Sequence, residues 1–310
     1  MKCLILGGGG FLGSHLCDAL LVKGYAVRIF DRPNLKRYRV FSFDEDIEWV
    51  DGDFTNQKDV AQAISGCDII YHLVSTTLPK SSNDNPIYDI ETNVVSSLHL
   101  LELARKANVH KIIFISSGGT VYGIPHEVPI KENHLTDPVC SYGISKLTIE
   151  KYLHLYHSLY GLDYCILRLA NPFGERQQVI ATQGAVAVFL NKALTNETIE
   201  IWGDGSVIRD YIYISDVVDV MIKAIHNQEE YHLYNVGGGI GYSLNEIIDE
   251  IENVLGRQVS RSYVEGRALD VPVSILDIER AKKDLKWSPC VDFREGLERT
   301  TNWMKTFINT

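Results

Sequence analysis

The sequence predicts an α/β fold, a doubly wound parallel sheet with a smaller mixed α/β C-terminal lobe. Through the first half of the chain, short apolar runs alternate with helical segments. The runs are almost continuously hydrophobic, as in parallel strands covered on both faces. Glycines stand where helix C-termini would be capped, at Gly24 and Gly161. After about residue 170 the alternation becomes less regular, and a turn-rich Asn-Pro-Phe-Gly-Glu-Arg-Gln stretch marks the junction.

Each element of the first half follows from this pattern. The predicted strands cover residues 2–6, 25–30, 47–50, 68–73, 111–116 and 163–169. The predicted helices cover residues 11–23, 56–65, 86–107 and 141–160. Strand–helix alternation implies right-handed crossovers. We therefore predict one domain over residues 1–170 and a second lobe over 171–310. The chain is expected to return to the first sheet around 211–236, with strands at 211–214 and 233–236.

Composition narrows the class of protein. The 310 residues are 45% hydrophobic and 23% charged, which is ordinary for a globular chain. A net charge of −10 argues against nucleic acid and anionic membranes as partners. The six cysteines are scattered without CxxC pairs, so we expect a reducing compartment and no metal site. No stretch reaches membrane-spanning length and the chain enters a buried strand at once, so we expect no signal peptide and a cytoplasmic protein.

A glycine-rich turn follows the first predicted strand and opens the first predicted helix. Gly7 permits a tight turn, Gly10 lets the backbone approach a pyrophosphate, and Gly13 allows the helix to pack closely on the strand. The amides and the dipole of the helix start would hold the phosphates. The turn therefore predicts a dinucleotide site, in which we include Phe11 and Leu12.

Asp31 ends the second predicted strand. A carboxylate there can accept hydrogen bonds from the adenosine ribose hydroxyls, which favours NAD. Four basic residues follow closely: Arg32, Lys36, Arg37 and Arg39. Such a cluster is either a solvated loop or a site for a 2′-phosphate, so NADP stays open beside NAD.

Tyr142 and Lys146 are four residues apart, and on a helix such residues share one face. A free phenol has a pKa of about 10, and lowering it to about 7 takes roughly 4 kcal/mol of preferential stabilisation of the phenolate. A cation one helical turn away in a partly desolvated cleft is the obvious source of that energy. With Ser117 available upstream, the spacing predicts an acid–base pair.

In combination these motifs resemble the extended short-chain dehydrogenases/reductases of the NAD-dependent epimerase/dehydratase family, close to the UDP-glucose 4-epimerase branch. The resemblance covers essentially the whole chain and rests on residues 7–13, 31, 53–54, 92–93, 116–123, 142–146, 168–174 and 208–212. It implies a Rossmann domain and a smaller lobe that binds a nucleotide sugar. It also implies a homodimer that pairs two long helices per subunit, here 86–107 and 141–160.

The resemblance assigns the catalytic and cofactor roles. Tyr142 would be the acid/base on the sugar hydroxyl, with Ser117 sharing the proton. Lys146 would bind the nicotinamide ribose and lower the pKa of Tyr142. Thr92 or Asn93 would contact the cofactor ribose or support the site from a neighbouring helix. The full expected cofactor set is Gly7, Gly10, Phe11, Leu12, Gly13, Asp31, Arg32, Asp53, Phe54, Leu73, Ser75, Thr92, Asn93, Tyr142, Lys146 and Ala170.

Two arginines would hold the substrate diphosphate. Arg209 and Arg267 match the diphosphate-binding arginines of the family, and guanidinium groups are preferred partners of phosphate oxygens. They explain how an acidic protein could hold an anion. Arg209 could instead form an ion pair with Asp204 or Asp210.

The other expected substrate contacts lie on both sides of the junction. Besides Ser117 and Tyr142, we predict Asn171 at the diphosphate or sugar, and Trp202 beside the uracil. Val186 lies in the segment 183–189, which is expected to supply backbone contacts to the base. Ser274 falls where epimerases gate N-acetylated sugars, and a small residue there would admit a 2-acetamido group.

Family membership leaves the reaction open. The 4,6-dehydratases carry adjacent Asp-Glu residues after the catalytic Thr, whereas Gly118 and Gly119 follow Ser117 here. We therefore predict a UDP-hexose 4-epimerase that retains NAD and acts through a 4-keto intermediate. The alternative is an NAD(P)H-dependent 4-ketoreductase of a nucleotide-linked 4-dehydro-6-deoxyhexose in surface polysaccharide synthesis. A regulatory relative without activity would typically have lost Tyr or Lys from the pair, and both are present.

Overall fold

Thirteen strands and eleven α-helices are formed by the residues that the structure, a computed structural model, describes: 1–33, 39, 47–179, 184–227, 229–266 and 271–308. The strands are β1 Lys2–Leu6, β2 Ala26–Asp31, β3 Ile47–Asp51, β4 Ile69–His72, β5 Lys111–Ser117, β6 Asp163–Leu169, β7 Asn171–Phe173, β8 Ile199–Trp202, β9 Ile208–Tyr213, β10 Leu233–Val236, β11 Gly241–Ser243, β12 Arg261–Val264 and β13 Val273–Ser274. The helices are α1 Phe11–Val22, α2 Gln57–Ile64, α3 Pro79–Asp84, α4 Pro86–Asp89, α5 Ser96–Lys106, α6 Ser141–Tyr160, α7 Ala185–Leu194, α8 Ile214–Lys223, α9 Leu244–Leu255, α10 Glu279–Asp284 and α11 Phe293–Ile308.

Seven parallel strands form the large sheet, in the order β10-β6-β5-β4-β1-β2-β3. Side chains alternate between the faces of β1, so Cys3 and Ile5 join one apolar cluster while Leu4 and Leu6 join the other. Helices α1 and α8 pack in the first cluster, and α2, α5 and α6 pack in the second. The predicted doubly wound α/β class is confirmed, including the smaller mixed region after the sheet.

The chain re-enters this sheet once after β6, through β10. The predicted strand at 211–214 does not belong to it, and that prediction was wrong. Those residues end β9, which pairs with β7, β11 and β13 in a second sheet, and α8 begins at Ile214. The physical reason is that β7 follows β6 almost directly and offers its edge to β9, while β10 takes the place beside β6.

The predicted helix 86–107 is interrupted by a π-helical turn at Ile90–Val95, between α4 and α5. Asn93 lies in this turn, and its side chain bonds both the carbonyl of Asp89 and the loop that follows β4. π-Helical turns are rare and frequently lie at functional sites. The preceding short helix α3 was not predicted from the sequence.

Candidate active site

The glycine turn between β1 and α1 has the shape that a bound pyrophosphate requires. Gly7 has φ +87°, a conformation that residues with a side chain rarely adopt. A Cβ added at Gly13 would lie 2.4 Å from the Gly7 carbonyl oxygen, so only glycine lets the helix approach this closely. Helix α1 begins at Phe11 and has no side-chain cap at Gly10, which leaves its first amides available to a ligand. The turn therefore fits a dinucleotide.

Asp31 lies at the carboxyl end of β2 and closes over this turn. Its Oδ2 accepts a hydrogen bond from the Gly9 amide at 2.9 Å, and its Oδ1 accepts one from the Arg32 amide at 2.8 Å. Arg39 pairs with Asp18 on α1, with 2.6 Å between Nε and Oδ1. Part of the basic cluster is thus neutralised by the protein itself. Lys36 and Arg37 lie outside the described residues.

A small pocket brings four of the predicted site residues together: Ser75, Asn93, Tyr142 and Lys146. Tyr142 is the second residue of α6 and Lys146 follows one turn later, as the spacing predicts. The Lys146 ammonium is buried and donates to the Ile115 carbonyl at 2.9 Å, while it lies 5.5 Å from the centre of the Tyr142 ring.

This arrangement does not lower the pKa of Tyr142. Burial raises the pKa of Tyr142 above its ordinary value, the charges of Cys140 and Asp89 add to the rise, and a hydrogen bond with Ser75 opposes it. Burial also lowers the pKa of Lys146 to about 8, with the negative charge of Asp89 acting in the opposite direction. The predicted depression of the Tyr142 pKa by Lys146 is not found in this arrangement, where burial dominates.

Ser117 ends β5 and begins the turn that faces the start of α6. A Cβ added at Gly143 would lie 2.7 Å from the Thr120 carbonyl oxygen, so the glycine lets α6 approach this turn. Ser117 is half-buried, and its register partner in β6 is Leu169. The strand end and the helix start thus converge on the same edge of the sheet.

Thr92 and Asn93 hold the loop after β4. Asn93 Oδ1 accepts from the Thr76 amide at 3.0 Å, and its Nδ2 donates to Thr77 Oγ1 at 3.2 Å. Thr92 Oγ1 lies 2.5 Å from Thr76 Oγ1 and donates to a carbonyl of its own helix. Of the two predicted roles for this pair, these contacts match support of the site from a neighbouring helix.

Other predicted cofactor residues line the same edge of the sheet. Asp53 accepts hydrogen bonds from the Thr55 amide and hydroxyl, and Phe54 is buried with its ring 5.0 Å from that of His72. Leu73 and Ala170 follow the ends of β4 and β6, where their amides bond neighbouring strands. Their contacts with a cofactor stay predictions.

The second sheet brings several predicted substrate residues together. Asn171 Nδ2 donates to the Asp210 carbonyl at 2.9 Å, and Ser274 is the register partner of Arg209. Arg209 donates to the carbonyls of Ile208 and Val271, at 2.9 and 2.6 Å. The side chain of Asp210 accepts from the amides of residues 238, 239 and 276.

The other residues predicted to contact the substrate lie in different surroundings. Trp202 is 42% exposed at the end of β8, and the Lys80 ammonium lies 5.8 Å from its ring. Val186 is buried in the apolar cluster around α7, so its side chain serves packing and only a backbone contact with a base stays predicted. Arg267 lies outside the described residues, as does residue 183.

Sequence reasoning missed the residues that cap α6, the helix of Tyr142 and Lys146. Cys140 provides no side-chain cap for α6. Ser82 and Asn83 of α3 do so instead: Ser82 Oγ accepts from the Tyr142 amide at 3.0 Å, and Asn83 Oδ1 accepts from the Ser141 amide at 2.9 Å. No local signal could have shown a cap that comes from about 60 residues away.

Among the described residues, no group of three or more His, Cys, Asp or Glu side chains could hold a metal ion. Within the same residues, no helix is both long and apolar enough to cross a bilayer.

Comparison with known proteins gives the same family from sequence and structure. The family model described as NAD dependent epimerase/dehydratase matches residues 3–237. A Methanocaldococcus jannaschii protein provisionally named UDP-glucose 4-epimerase is 38% identical over 97% of this chain and 98% of its own length. The Escherichia coli dTDP-4-dehydro-6-deoxyglucose reductase is 31% identical, covering 96% of this chain and 95% of its own.

Solved structures agree. The Thermotoga maritima UDP-glucose 4-epimerase, crystallised with UDP-glucose, superposes with a TM-score of 0.94 and is 32% identical, covering 99% of this chain and all of its own. The resemblance inferred from the motifs is therefore confirmed. The chain belongs to the NAD-dependent epimerase/dehydratase family, and NAD is its cofactor.

Proposed function

We propose that the protein is a nucleotide-sugar 4-epimerase that acts on a UDP-hexose, either UDP-glucose/galactose or the N-acetyl forms, and retains NAD between turnovers. The observation that carries this proposal is the pocket in which Tyr142 and Lys146 meet the loop of Ser75, at the sheet edge that also carries the glycine turn. Ligands of open α/β sheets bind at this carboxyl edge. The pocket supplies an acid–base group and the turn supplies the cofactor cradle.

The chain's own residues account for the proton chemistry. NAD, when bound, supplies the acceptor and donor of hydride. Tyr142 would take the proton of the sugar C4 hydroxyl as C4 is oxidised and return it after the keto sugar presents its other face, with Ser117 sharing that proton. Because burial raises its pKa, Tyr142 is held in the protonated form near neutral pH and needs a nearby positive charge before it can act as a base. Lys146 is the cation of this pocket, and without the cofactor it leaves the pKa of Tyr142 above its ordinary value.

The turn after Ser117 supports epimerisation over dehydration. A Cβ added at Gly118 would lie 2.5 Å from Leu276 Cδ1, so an acidic side chain could not be inserted there without moving the core. Gly119 has open space around it but carries no side chain. The elimination of water needs an acid at this turn, and none is present.

Arg209 would bind the diphosphate and Trp202 would flank the base. Arg209 is the register partner of Ser274, which is small enough to leave room for a 2-acetamido group. Arg267 would add a second diphosphate contact. A sugar held only through its diphosphate can present either face at C4 to the same proton donor, which is what epimerisation requires.

The second candidate is reduction of a nucleotide-linked 4-dehydro-6-deoxyhexose by a dissociable NAD(P)H. The 31% identity with the Escherichia coli reductase favours it, because that similarity extends over nearly the full length of both chains. The same acid–base pair would then deliver one proton to the C4 oxygen and would not reverse the step.

One experiment separates the two reactions. The purified protein is incubated with UDP-glucose, UDP-galactose and their N-acetyl forms without added cofactor, and products are followed by NMR. We expect C4 epimers to form. Absence of epimers together with loss of NAD(P)H absorbance on a dTDP-4-dehydro-6-deoxyhexose would establish reduction instead.

We further propose that two chains pair through the helices 86–107 and α6. Several apolar side chains on these helices are exposed, including Ile87 at 70% and Leu159 at 60%. Light scattering after size-exclusion chromatography tests this: we expect a dimer of two 34.9 kDa chains, and a monomer would contradict the proposal.

A further inference from the structure

Asp89 is a fully buried carboxylate beside the catalytic helix, at the end of α4. Its Oδ1 accepts hydrogen bonds from Thr77 Oγ1 and, at 3.0 Å, from Asn93 Nδ2. Its Oδ2 accepts from Ser141 Oγ at 2.9 Å and from Ser145 Oγ at 2.6 Å. One oxygen therefore faces the loop after β4, and the other faces α6.

The two serines adjoin the acid–base pair in the sequence. Ser141 precedes Tyr142, and Ser145 precedes Lys146. By bonding both hydroxyls, Asp89 fixes the first turn of α6 at the residue before each member of the pair. On its other oxygen it fixes the loop that carries the Tyr142 partner, Ser75. The carboxylate thus fixes the position of the Ser75 loop relative to α6, and these two segments line the pocket.

The charge of Asp89 is not neutralised by its partners. All four donors are neutral, and no ion pair joins Asp89 to a cation within the residues that the structure describes. Glu150, the other acid near Lys146, is paired with Arg168 at 2.6 Å and is buried with it. Asp89 is therefore the acid whose charge acts most directly on Lys146, and it opposes the lowering of the Lys146 pKa by burial.

The remaining titratable groups around the pair are neutral near pH 7. His72 of β4 faces Lys146, and burial lowers its pKa to about 3. Burial raises the pKa of Cys140, which precedes α6, and that of Tyr142 itself. The charged groups at the pair are therefore Lys146, Asp89 and Glu150, and the charge of Glu150 is already compensated.

We propose that Asp89 is a positioning residue for the acid–base pair: its carboxylate fixes the Ser75 loop to the catalytic helix, and its charge holds Lys146 in the ammonium form. This inference rests on the proposed roles of Tyr142 and Lys146. It adds a residue that acts through others, since its carboxylate bonds Thr77, Asn93, Ser141 and Ser145.

Removing the charge of Asp89 should shift the pKa of Lys146 and the pKa of Tyr142, each in a defined direction. Without Asp89 the ammonium of Lys146 loses its stabilising anion, so the pKa of Lys146 falls further below its ordinary value. The phenolate of Tyr142 loses a repelling anion, so the pKa of Tyr142 falls as well. Both limbs of a bell-shaped pH–rate profile should therefore move to lower pH together.

The test is Asp89→Asn, which keeps the shape and removes the charge. We expect the pH–kcat profile to shift down by about 1 pH unit. Independently of activity, the pKa of Lys146 is measured by NMR on protein labelled with ¹³C at lysine Cε, with Lys146→Met to assign the resonance. We expect a value near 8 in the native protein and a lower value in Asp89→Asn.

Ser145→Ala is the matched control, because it removes one hydrogen bond and keeps the charge. We expect a lower kcat with the Lys146 titration unchanged or shifted upward. Unchanged titration in Asp89→Asn, or a downward shift in Ser145→Ala, would overturn the proposal, and the second result is available even if Asp89→Asn does not fold. A protein inactive on every nucleotide sugar would contradict the proposed function alone, since the NMR titration needs neither cofactor nor substrate.

Discussion

The two halves of the candidate site are built differently. On the cofactor side, buried polar groups such as Asp89, Asn93 and Lys146 bond one another or the backbone beneath the carboxyl edge of a seven-stranded sheet. On the substrate side, Trp202 and Arg209 project from short strands of two small sheets, and Trp202 is 42% exposed. We infer that the chemistry is preorganised by packing, whereas substrate choice depends on a few side chains that can change with little cost to the fold.

The largest expected effect tests the preorganised half. Tyr142→Phe removes the proton donor and keeps the ring, so kcat for epimerisation should fall by about 10²–10⁴-fold. NMR of UDP-hexose conversion measures it. Tyr156→Phe, on the same helix and far from the pocket, is the control and should keep near-native activity. Equal rates for Tyr142→Phe and the native enzyme would refute the catalytic assignment.

A substitution in the substrate half of the site should change the binding of the substrate. Arg209→Met removes the guanidinium that we propose binds the diphosphate, and hydrogen bonds to charged groups contribute about 1.5–3 kcal/mol. KM for the UDP-hexose should therefore rise by roughly 10–100-fold while kcat changes less. Arg261→Met is the control, because Arg261 lies in the same lobe and pairs with Asp249 and Glu252. An unchanged KM would remove Arg209 from the diphosphate site.

The affinity for NAD distinguishes the two halves of the site further. Asp31→Ala removes the carboxylate that bonds the glycine turn and is expected to contact the ribose, so the Kd for NAD should rise by about tenfold or more. Isothermal titration measures it. The control is Asp51→Ala, the register partner of Asp31 in β3, whose loss should leave the Kd nearly unchanged. Equal effects of the two variants would show that Asp31 has no special role.

The smallest expected effect concerns the turn after Ser117, which lies between the two halves of the site. Gly118→Ala forces a methyl group against the buried Leu276 side chain and should lower the free energy of unfolding by about 1–3 kcal/mol. Gly119→Ala meets no atom within 4 Å and should change it by less than about 0.5 kcal/mol. Urea unfolding measures both. Similar values for the two variants would mean that Gly118 is not constrained by packing.

Much of the fold could be predicted because its signals are local. The apolar runs of β1–β6 and the glycine turn depend on residues adjacent in sequence, and the order of elements then implies the parallel sheet. The assignment of 211–214 to the large sheet was wrong because pairing depends on which edge is free. Neither the short helix α3 nor the π-helical turn at Ile90–Val95 follows from periodicity, since both depend on side chains bonding distant backbone.

The sequence by itself determined that Tyr142 and Lys146 share a helix face, that Gly7 and Gly13 allow a phosphate-binding turn, and that no acid follows Ser117. Only the tertiary structure decided the electrostatics of the pair. Burial raises the pKa of Tyr142 instead of lowering it, and the charge that sustains Lys146 comes from Asp89, more than 50 residues upstream. The reason is physical: spacing fixes which side chains share a face, but desolvation and charge depend on everything that packs around them.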